Sequence, residues 1–455
     1  MSISLEFNEN DYTVREVCLE GKRIGYRAFE NIVYVGNPVD TKHQRLSIFV
    51  PEQYYRDAKG KEPVKKPPVF LPNTVGGYMP GLPEEPGPDR SGKPNASFYA
   101  ILNGYVVVSP GARGRGLRDE NGVFTGTAPA CIVDLKAAVR YLKYNRNRIP
   151  GDMERIISNG TSAGGALSAL LGTTGNHPDY EPYLEEIGAA KETDDVYAAS
   201  CYCPITNLEH ADMAYEWEFG GLGDYHWGDR DGVMTEAQNM LSVMEKPLFP
   251  PYLNSMKLTG DFGEWLSLGE DGNGSFKDYI VGYILQSAGR EMERGTDLTA
   301  LNWLVIEDGQ PTGMDWAAFI RYRTRMKTAP AFDDVFLSTP ENELFGSPVI
   351  ARRHFTPFSL KYTTVSGEMA EEGQIKRMNP MNYIQDRAAK KANYFRIRHG
   401  AADRDTSLAI SAMLTAALRG RGAVVDYQLP WGVPHAGDYD PEELFDWIKR
   451  ICQIE

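Results

Sequence analysis

Strands and helices alternate at both ends of this chain of 455 residues. Short apolar runs such as PPVFLPN (67–73) and GYVVVSP (104–110) are typical of buried strands. Helical apolar spacing follows in segments such as 128–145 and 405–420. Parallel strands need long crossover connections, so this alternation predicts a mostly parallel sheet with helices on both faces. Before it, RIGYRAF, NIVYVG and RLSIFVP predict early antiparallel strands joined by short turns.

The alternation stops at about residue 206 and resumes only near residue 385. The intervening segment is rich in predicted helix, for example GMDWAAFIRYRTRMK (313–327). We therefore interpret 1–204 and 386–455 as one discontinuous α/β core and 205–385 as an inserted, mostly helical domain.

Composition limits the class of partner and the cellular compartment. The net charge of −14 argues against nucleic acid and gives no attraction to an anionic membrane. The five cysteines are scattered, which is typical of free thiols in a reducing compartment. The amino terminus lacks the apolar core of a signal peptide, and no apolar run is long enough to span a bilayer. We expect a cytoplasmic protein, while the oligomeric state stays open.

One serine lies at a corner between a predicted strand and a predicted helix. The residues from Gly160 to Gly164 fit the pattern G-x-S-x-G around Ser162. Glycines on both sides let the backbone pass close to its neighbours, and the turn lifts the hydroxyl above the sheet at a helix N-terminus. A serine that only capped the helix would not need both glycines, so we predict a nucleophile.

A serine hydroxyl needs a base to become a nucleophile. In a sheet of this topology the acid follows a late strand and the histidine follows the last one. Asp403 follows the predicted strand 394–400, and His435 follows the predicted strand 423–430. The order Ser162, Asp403, His435 therefore predicts a triad in which the histidine takes the serine proton and the aspartate orients the imidazole.

Other residues compete for these roles. His399 is nearer to Asp403 in sequence, but it ends a strand and is interpreted as a packed histidine. Asp405 is an alternative acid, or an N-cap of the helix 406–419. Asp438 and Asp440 are candidate caps of the last helix.

Acyl transfer also requires hydrogen-bond donors for the oxyanion. The backbone N–H of Ala163 directly follows the nucleophile. The second donor is expected in the glycine-rich loop NTVGGYMPG (73–81), where we assign Gly76, with Gly77 as the alternative. No metal or cofactor is predicted: GEDGNGSFKD resembles a calcium loop, but Phe276 stands where the turn glycine is required.

Taken together, several motifs resemble those of the bacterial tannases (tannin acyl hydrolases). These motifs are NTVGGYMPG, GARGRG, NGTSAGGALSALLG, RHGAADRDTS and LPWGVPHAGDYD. The resemblance implies an α/β-hydrolase fold with a large inserted lid. It also implies a triad of Ser162, Asp403 and His435, as proposed above from the residues alone.

The same resemblance implies which residues bind the substrate ring. By motif, Lys327, Glu341 and Asp405 match the residues that contact the hydroxyls of a galloyl ring. Glu343 is an alternative to Glu341, and Lys327 could instead complement a helix C-terminus. Ile205 and Pro340 match the apolar residues that flank the galloyl ring in that family. Fungal tannases join cysteines beside the serine and the histidine, and Thr161 and Pro434 occupy those positions here, which excludes that branch.

The sequence thus predicts a serine carboxylesterase that acts on gallate or similar hydroxybenzoate esters without a cofactor. A hydroxycinnamoyl (feruloyl or chlorogenate) esterase with the same triad is the nearest alternative. A catalytically silent, hydrolase-like binding protein is the alternative from a different class.

Overall fold

A sheet of nine strands forms the centre of the molecule in a computed structural model, which describes residues 3–56, 66–228 and 230–454. The strands of this sheet are β1 (Thr13–Leu19), β2 (Lys22–Val33), β3 (Arg45–Pro51), β4 (Pro68–Pro72), β5 (Val106–Pro110), β6 (Asp152–Thr161), β7 (Ala198–Tyr202), β12 (Tyr394–Arg398) and β13 (Val424–Gln428).

The spatial order of the strands is β1-β2-β3-β5-β4-β6-β7-β12-β13. Pairing is antiparallel from β1 to β5 and parallel from there to β13. The carboxyl ends of β4, β6, β7, β12 and β13 therefore meet at one edge of the sheet. This mostly parallel arrangement confirms the predicted fold class.

Some helices cover the two faces of the sheet, and the others, α6 to α14, belong to the segment between β7 and β12. They are α1 (Gln53–Arg56), α2 (Ala96–Leu102), α3 (Ala130–Tyr144), α4 (Ala163–Thr173), α5 (Glu181–Glu186), α6 (Leu208–Phe219), α7 (Glu236–Glu245), α8 (Phe249–Ser255), α9 (Ser275–Glu293), α10 (Trp316–Arg323), α11 (Pro340–Leu344), α12 (Pro357–Tyr362), α13 (Glu372–Arg377), α14 (Met381–Ile384), α15 (Leu408–Arg419) and α16 (Pro441–Cys452).

The two faces of the sheet bury separate hydrophobic clusters, because successive side chains of a strand point to opposite sides. In β4, Val69 and Leu71 join the cluster under α3, α4 and α15, whereas Phe70 joins the cluster under α2 and α16. Both faces are apolar, which explains why the central strands read as continuous apolar runs rather than alternating ones.

The segment between β7 and β12 contains α6 to α14 and two small hairpins. The hairpins pair β8 (Asp224–Trp227) with β9 (Arg230–Val233) and β10 (Leu304–Glu307) with β11 (Gln310–Met314). Apolar side chains of this segment, such as Phe276 and Phe332, belong to the same cluster as the sheet and α4. The division into a core and an inserted domain stays a prediction.

Two predicted elements differ from the structure. RIGYRAF and NIVYVG are not two strands: RIGYRAF and the first half of NIVYVG lie in the single strand β2, which ends at Val33. The register of β2 with β3 shifts between Phe29 and Ile32, where Asn31 takes a φ of 60°. The predicted helix 313–327 is shorter, because Met314 ends a hairpin strand and Asp315 caps α10 through Ala318 N–H.

Among the described residues, no helix combines the length and the apolar character that crossing a bilayer requires.

Candidate active site

Ser162 lies at the corner between β6 and α4, in a conformation that is unusual for a residue with a side chain. Its φ of 60° and ψ of −122° lie outside the common regions for L-residues, at a cost of about 1–3 kcal/mol. The corner is held by hydrogen bonds from Ser162 N–H to Tyr202 O at 2.9 Å and from Ala166 N–H to Ser162 O at 2.9 Å. The half-buried hydroxyl is therefore presented at the N-terminus of α4, where the helix dipole favours negative charge.

Both flanking glycines are required by close backbone contacts. A Cβ on Gly160 would lie 2.3 Å from Gly164 O, and a Cβ on Gly164 would lie 2.6 Å from Asn73 Oδ1. The Asn73 amide at the end of β4 donates to Asn159 O and to Gly164 O, each at 3.1 Å. Asn73 thus ties the predicted oxyanion loop to the serine corner.

Asp403 and His435 are in direct contact. His435 Nδ1 lies 2.7 Å from Asp403 Oδ2, and Asp403 is fully buried. Their loops pack closely: Ala402 N–H donates to Val433 O at 3.0 Å, and a Cβ on Gly400 would lie 2.0 Å from the same oxygen. The structure therefore brings together the predicted acid and the predicted base.

The contact shifts the pKa of both groups. Burial by itself would lower the pKa of His435, but the hydrogen bond and charge of Asp403, with a smaller contribution from Cys203, raise it above its usual value. Burial by itself would raise the pKa of Asp403, but His399 and His435 lower it well below its usual value. The ionised carboxylate therefore stabilises the charged imidazolium that forms when His435 accepts a proton.

His399 is also part of this cluster, which the sequence did not indicate. It is fully buried, its Nε2 lies 3.2 Å from Asp403 Oδ2, and its Nδ1 lies 2.8 Å from Ser411 Oγ. His399 is thus a packed histidine, but one that packs on the predicted catalytic carboxylate.

The serine and the histidine lie on adjoining loops. A Cβ on Gly437 would lie 1.7 Å from Thr161 Oγ1, so the loop that carries His435 touches the serine corner. Among the described residues, Ser162 Oγ has no hydrogen-bond partner, and His435 Nε2 faces Cys203 Sγ at 3.9 Å. Catalytic hydrogen bonds are often long in unliganded enzymes and tighten only with substrate.

The predicted oxyanion donors lie beside this corner. Ala163 is the first residue of α4, so its N–H has no partner within the helix. Gly76 is exposed, and its N–H forms no hydrogen bond with any described residue, while its carbonyl accepts from Met79 N–H at 3.0 Å. Tyr78 Oη anchors the loop by donating to Ile205 O at 2.8 Å.

Lys327, Asp405 and Glu341 form a cluster of charged groups. Lys327 Nζ lies 2.9 Å from Asp405 Oδ1 and 3.8 Å from the centre of the Phe332 ring. Burial opposes the charge of Lys327, but Asp405 and Glu341 outweigh it and raise its pKa. Burial raises the pKa of Glu341, and Lys327 partly offsets this. Donors and acceptors for a polyhydroxylated ring therefore converge here.

Glu343, the alternative to Glu341, has other partners. It forms ion pairs with Arg115 at 2.6 Å and with Arg352 at 2.7 Å. Arg115 also donates through Nε to Gly77 O at 2.6 Å, so this arginine links α11 to the oxyanion loop. The geometry thus favours Glu341 for contact with a ring.

The alternative roles of the aspartates are also decided by geometry. Ser407, not Asp405, caps α15, because its side chain accepts from Ala409 N–H. Asp440 occupies the N-cap position of α16 without a capping bond and accepts instead from Tyr202 Oη at 2.5 Å. Asp438 accepts from Asn159 Nδ2 at 2.9 Å.

The two predicted ring-flanking residues differ in setting. Ile205 is buried, and its N–H donates to Ser162 O at 3.4 Å. Pro340 is exposed at the first position of α11, next to Glu341. Ile205 therefore belongs to the serine side of the site and Pro340 to the side of the charged cluster.

Tyr215 on α6 is a buried residue that sequence reasoning missed. Its hydroxyl accepts from Lys327 N–H and Met326 N–H, each at 3.0 Å, and donates to Arg404 O at 3.0 Å. One phenol therefore fixes the segments that carry Lys327 and Asp405. No motif marks it, because a tyrosine on a helix is usually only a packing residue.

Arg323 on α10 is a second buried residue that sequence reasoning missed, and it links the inserted segment to the loop that carries Asp403. It donates to the backbone carbonyl of Asp403 and forms a buried ion pair with Glu218. Glu218 accepts in turn from Ser407 Oγ at 2.6 Å and from Leu408 N–H at 2.8 Å. Side chains of the inserted segment thus hold the loop that carries the acid.

Comparisons with known proteins agree over nearly the whole chain. The chain is similar to the tannase of Fusobacterium nucleatum, with 46% sequence identity, a TM-score of 0.93, and 98% of this chain and 99% of that chain covered. It is similar to a tannin acyl hydrolase solved in complex with ethyl gallate, with 44% identity, a TM-score of 0.94 and 99% of both chains covered.

Two further similarities cover only part of the chain. A family model described as BD-FAE matches residues 93–218. Esterase LipC of Mycobacterium tuberculosis (strain ATCC 25618 / H37Rv) is 43% identical over 58 residues, 13% of this chain and 14% of LipC. Because the similarity to tannases extends over both chains at this level of identity, the chain belongs to the tannase family, whose members are carboxylic ester hydrolases with the α/β-hydrolase fold.

Proposed function

We propose that this enzyme hydrolyses esters of gallate and similar polyhydroxybenzoates to the free acid and an alcohol. The observation that carries the proposal is the cluster of Lys327, Asp405 and Glu341. Its member Asp405 lies two residues along the chain from Asp403, the acid that contacts His435. The cluster combines a positive donor with carboxylates in a largely buried setting. Phenolic hydroxyls both donate and accept, so such a cluster suits a ring with several of them.

In the proposed mechanism, Ser162 Oγ attacks the ester carbonyl carbon while His435 Nε2 takes the hydroxyl proton. The carbonyl oxygen becomes an oxyanion and accepts hydrogen bonds from Gly76 N–H and Ala163 N–H. When the tetrahedral intermediate collapses, the bond to the alcohol oxygen breaks and His435 gives that oxygen the proton. The product of this half-reaction is an acyl-enzyme on Ser162.

A water molecule completes the proposed cycle. His435 takes a proton from the water, the resulting hydroxide attacks the acyl carbon, and Ser162 Oγ leaves with the proton from His435. Asp403 keeps the imidazole in the tautomer that places the free nitrogen at Nε2 and stabilises the charged form. The raised pKa of His435 is consistent with this second task.

The inserted segment 205–385 would supply the substrate recognition. Lys327 and Glu341 come from it, and Asp405 comes from the core. We propose that Lys327 donates to hydroxyl oxygens of the ring while Glu341 and Asp405 accept from hydroxyl hydrogens. Ile205 and Pro340 would flank the ring.

The test compares kcat/KM for methyl gallate, methyl benzoate, methyl ferulate and a short aliphatic ester. We expect methyl gallate to exceed methyl benzoate by more than about 100-fold, because each hydrogen bond to a charged group is worth about 1.5–3 kcal/mol. Preference for methyl ferulate would favour the hydroxycinnamoyl alternative. Preference for the aliphatic ester would contradict ring recognition altogether.

A matched pair of variants on α11 sharpens the test. Glu341→Gln should lower kcat/KM for methyl gallate about tenfold or more while leaving methyl benzoate nearly unchanged. Glu343→Gln, two residues away and paired with Arg115 and Arg352, should affect both esters equally. The reverse pattern would assign the ring contact to Glu343.

A further inference from the structure

The motif GARGRG (111–116) lies against the loop NTVGGYMPG (73–81), which carries the proposed oxyanion donor Gly76. The motif directly follows β5. Ala112 N–H donates to Gly81 O at 3.1 Å, and Gly81 N–H donates to Ala112 O at 2.9 Å. The far end of the loop is therefore paired with the motif as one strand is paired with another.

Arg113 anchors the motif to the core. Its Nη2 donates to Asp134 Oδ1 at 2.8 Å, and its backbone N–H donates to Asp134 Oδ2 at 2.8 Å. Asp134 is fully buried on α3 and also accepts from Gln44 Nε2 at 2.8 Å. Breaking a buried pair of this kind is costly, so the position of the motif is fixed independently of the loop.

Gly114 allows the motif to touch the loop. A Cβ at this position would lie 2.4 Å from Met79 C and 2.5 Å from Tyr78 O. Any side chain here would push the loop away. Because the two backbones are this close, the N–H of Arg115 reaches the loop and donates to Tyr78 O at 2.8 Å.

The side chain of Arg115 holds the same loop from a second direction. Its Nε donates to Gly77 O at 2.6 Å, and its Nη1 donates to Glu343 Oε2 at 2.6 Å. A guanidinium presents its donors in a rigid, planar fork, so both bonds fix one orientation of the group. Arg115 thus binds two successive carbonyls of the loop, directly after Gly76.

Glu343 has a further partner, which keeps it in place. Arg352 Nη2 donates to Glu343 Oε1 at 2.7 Å, and Arg352 Nη1 donates to Leu337 O at 3.1 Å. Burial would raise the pKa of Glu343, but Arg352 and Arg115 outweigh it and lower that pKa. Glu343 therefore stays ionised at neutral pH and orients the guanidinium of Arg115.

The loop needs this support because of how an oxyanion hole acts. Its donors lower the barrier when they already point at the position where the charge develops. Residues 73–80 belong to no helix or strand, and Gly76 is exposed. The direction of Gly76 N–H therefore depends on the contacts that hold the neighbouring peptide groups.

We propose that Arg115 is a positioning residue for the oxyanion hole. It holds the peptide groups that follow Gly76, so that Gly76 N–H faces the ester carbonyl oxygen. The inference rests on the proposed function, because it takes Gly76 as a donor to the oxyanion.

The first experiment measures kcat and KM for methyl gallate and methyl benzoate in Arg115→Met, which keeps an apolar stem and removes the donors. This change should lower kcat about tenfold for both esters and alter KM less than about twofold, because the oxyanion forms only on the way to the transition state. Wild-type kcat in Arg115→Met would overturn the proposal.

Two further variants control for folding and for the ion pair. Arg115→Lys keeps the charge but cannot reproduce the fork, so kcat should fall at least about threefold; wild-type kcat here would also overturn the proposal. Arg352→Met removes the other partner of Glu343 without touching the loop, and kcat should stay within about twofold of wild type. A loss equal to that of Arg115→Met would overturn a role through the loop.

A binding measurement separates positioning from general damage to the site. The boron of phenylboronic acid accepts an electron pair from Ser162 Oγ, whose proton passes to His435, and becomes a tetrahedral anion like the reaction intermediate. Its inhibition constant should rise about tenfold in Arg115→Met, in parallel with the loss of kcat. Pyrogallol has the ring hydroxyls but no ester group, and its inhibition constant should stay unchanged. Equal weakening of both inhibitors would overturn the proposal.

The same inhibitor distinguishes failure of this inference from failure of the proposed function. If phenylboronic acid did not inhibit the wild-type protein, the proposed nucleophile and the role of Arg115 would both be wrong. If it inhibited the wild type and Arg115→Met equally, only the role of Arg115 would be overturned.

Discussion

The two sides of the proposed active site are built differently. On the core side, Ser162, Asp403 and His435 each stand just after a sheet strand, and their positions follow from the chain path. On the side of the inserted segment, Lys327 and Glu341 stand in irregular chain or on a short helix. Buried polar side chains hold that second side in place.

We infer from this difference that one side of the site carries out the ester chemistry and the other selects the substrate ring. Residues at the sheet edge would act on the ester group that all substrates share, so their loss should affect every ester alike. Residues of the charged cluster would act on the ring, so their loss should affect gallate most.

The largest effect is expected from Ser162→Ala. Removing the proposed nucleophile should lower kcat by about 10⁴-fold or more, and equally for methyl gallate and methyl benzoate. Steady-state assays of both esters measure this. A loss of activity for only one of the two esters would contradict the proposed division between chemistry and ring recognition. The nucleophile acts on the ester group, which both substrates share.

A similarly large effect is expected from Asp403→Asn, with a change in pH dependence. Asp403 raises the pKa of His435, and the base must be neutral to act, so this pKa contributes the acid limb of the pH profile. Without the carboxylate the pKa falls. The acid limb of kcat/KM should therefore move to lower pH while kcat drops by about 10⁴-fold.

Asp405→Asn is the control for this pH effect. Asp405 lies two residues from Asp403 but pairs with Lys327 rather than His435. The acid limb of kcat/KM in Asp405→Asn should stay at the wild-type pH, although this variant should hydrolyse methyl gallate more slowly. A limb that moved equally in both variants would mean that the two sides are electrostatically coupled.

A smaller effect is expected from Tyr215→Phe. The hydroxyl bridges the segments of Lys327 and Asp405, and one such hydrogen bond is worth about 1 kcal/mol. Methyl gallate should lose about fivefold in kcat/KM and methyl benzoate much less. Tyr383→Phe, which removes another buried hydroxyl bonded to Asp179, should leave the ratio of the two esters unchanged.

The parallel part of the fold was predictable because most of its strands are buried on both faces. Strands such as β4 and β5 read as continuous apolar runs that nothing else explains. β1 was missed because it is an edge strand with alternating exposure, and β2 was split because its bulge at Asn31 looks like a turn. Edge strands and bulges depend on partners that a local pattern does not contain.

The same contrast holds for the site. The contact between Asp403 and His435 could be predicted from strand order and glycine spacing. The links made by Tyr215 and Arg323 could not, because each is a buried polar group whose partners are distant in sequence. His399 lies only four residues from Asp403, but no motif shows that its side chain turns towards that carboxylate. Such partners become visible only when the chain is folded.

The most direct test of the account is a crystal structure of the Ser162→Ala protein with methyl gallate bound. We expect the ester carbonyl carbon within about 3–3.5 Å of the side chain at position 162, as in a near-attack geometry. The carbonyl oxygen should face Gly76 N–H and Ala163 N–H, and the ring hydroxyls should contact Lys327, Glu341 and Asp405. A ring bound away from that cluster, with the ester out of reach of position 162, would contradict the account.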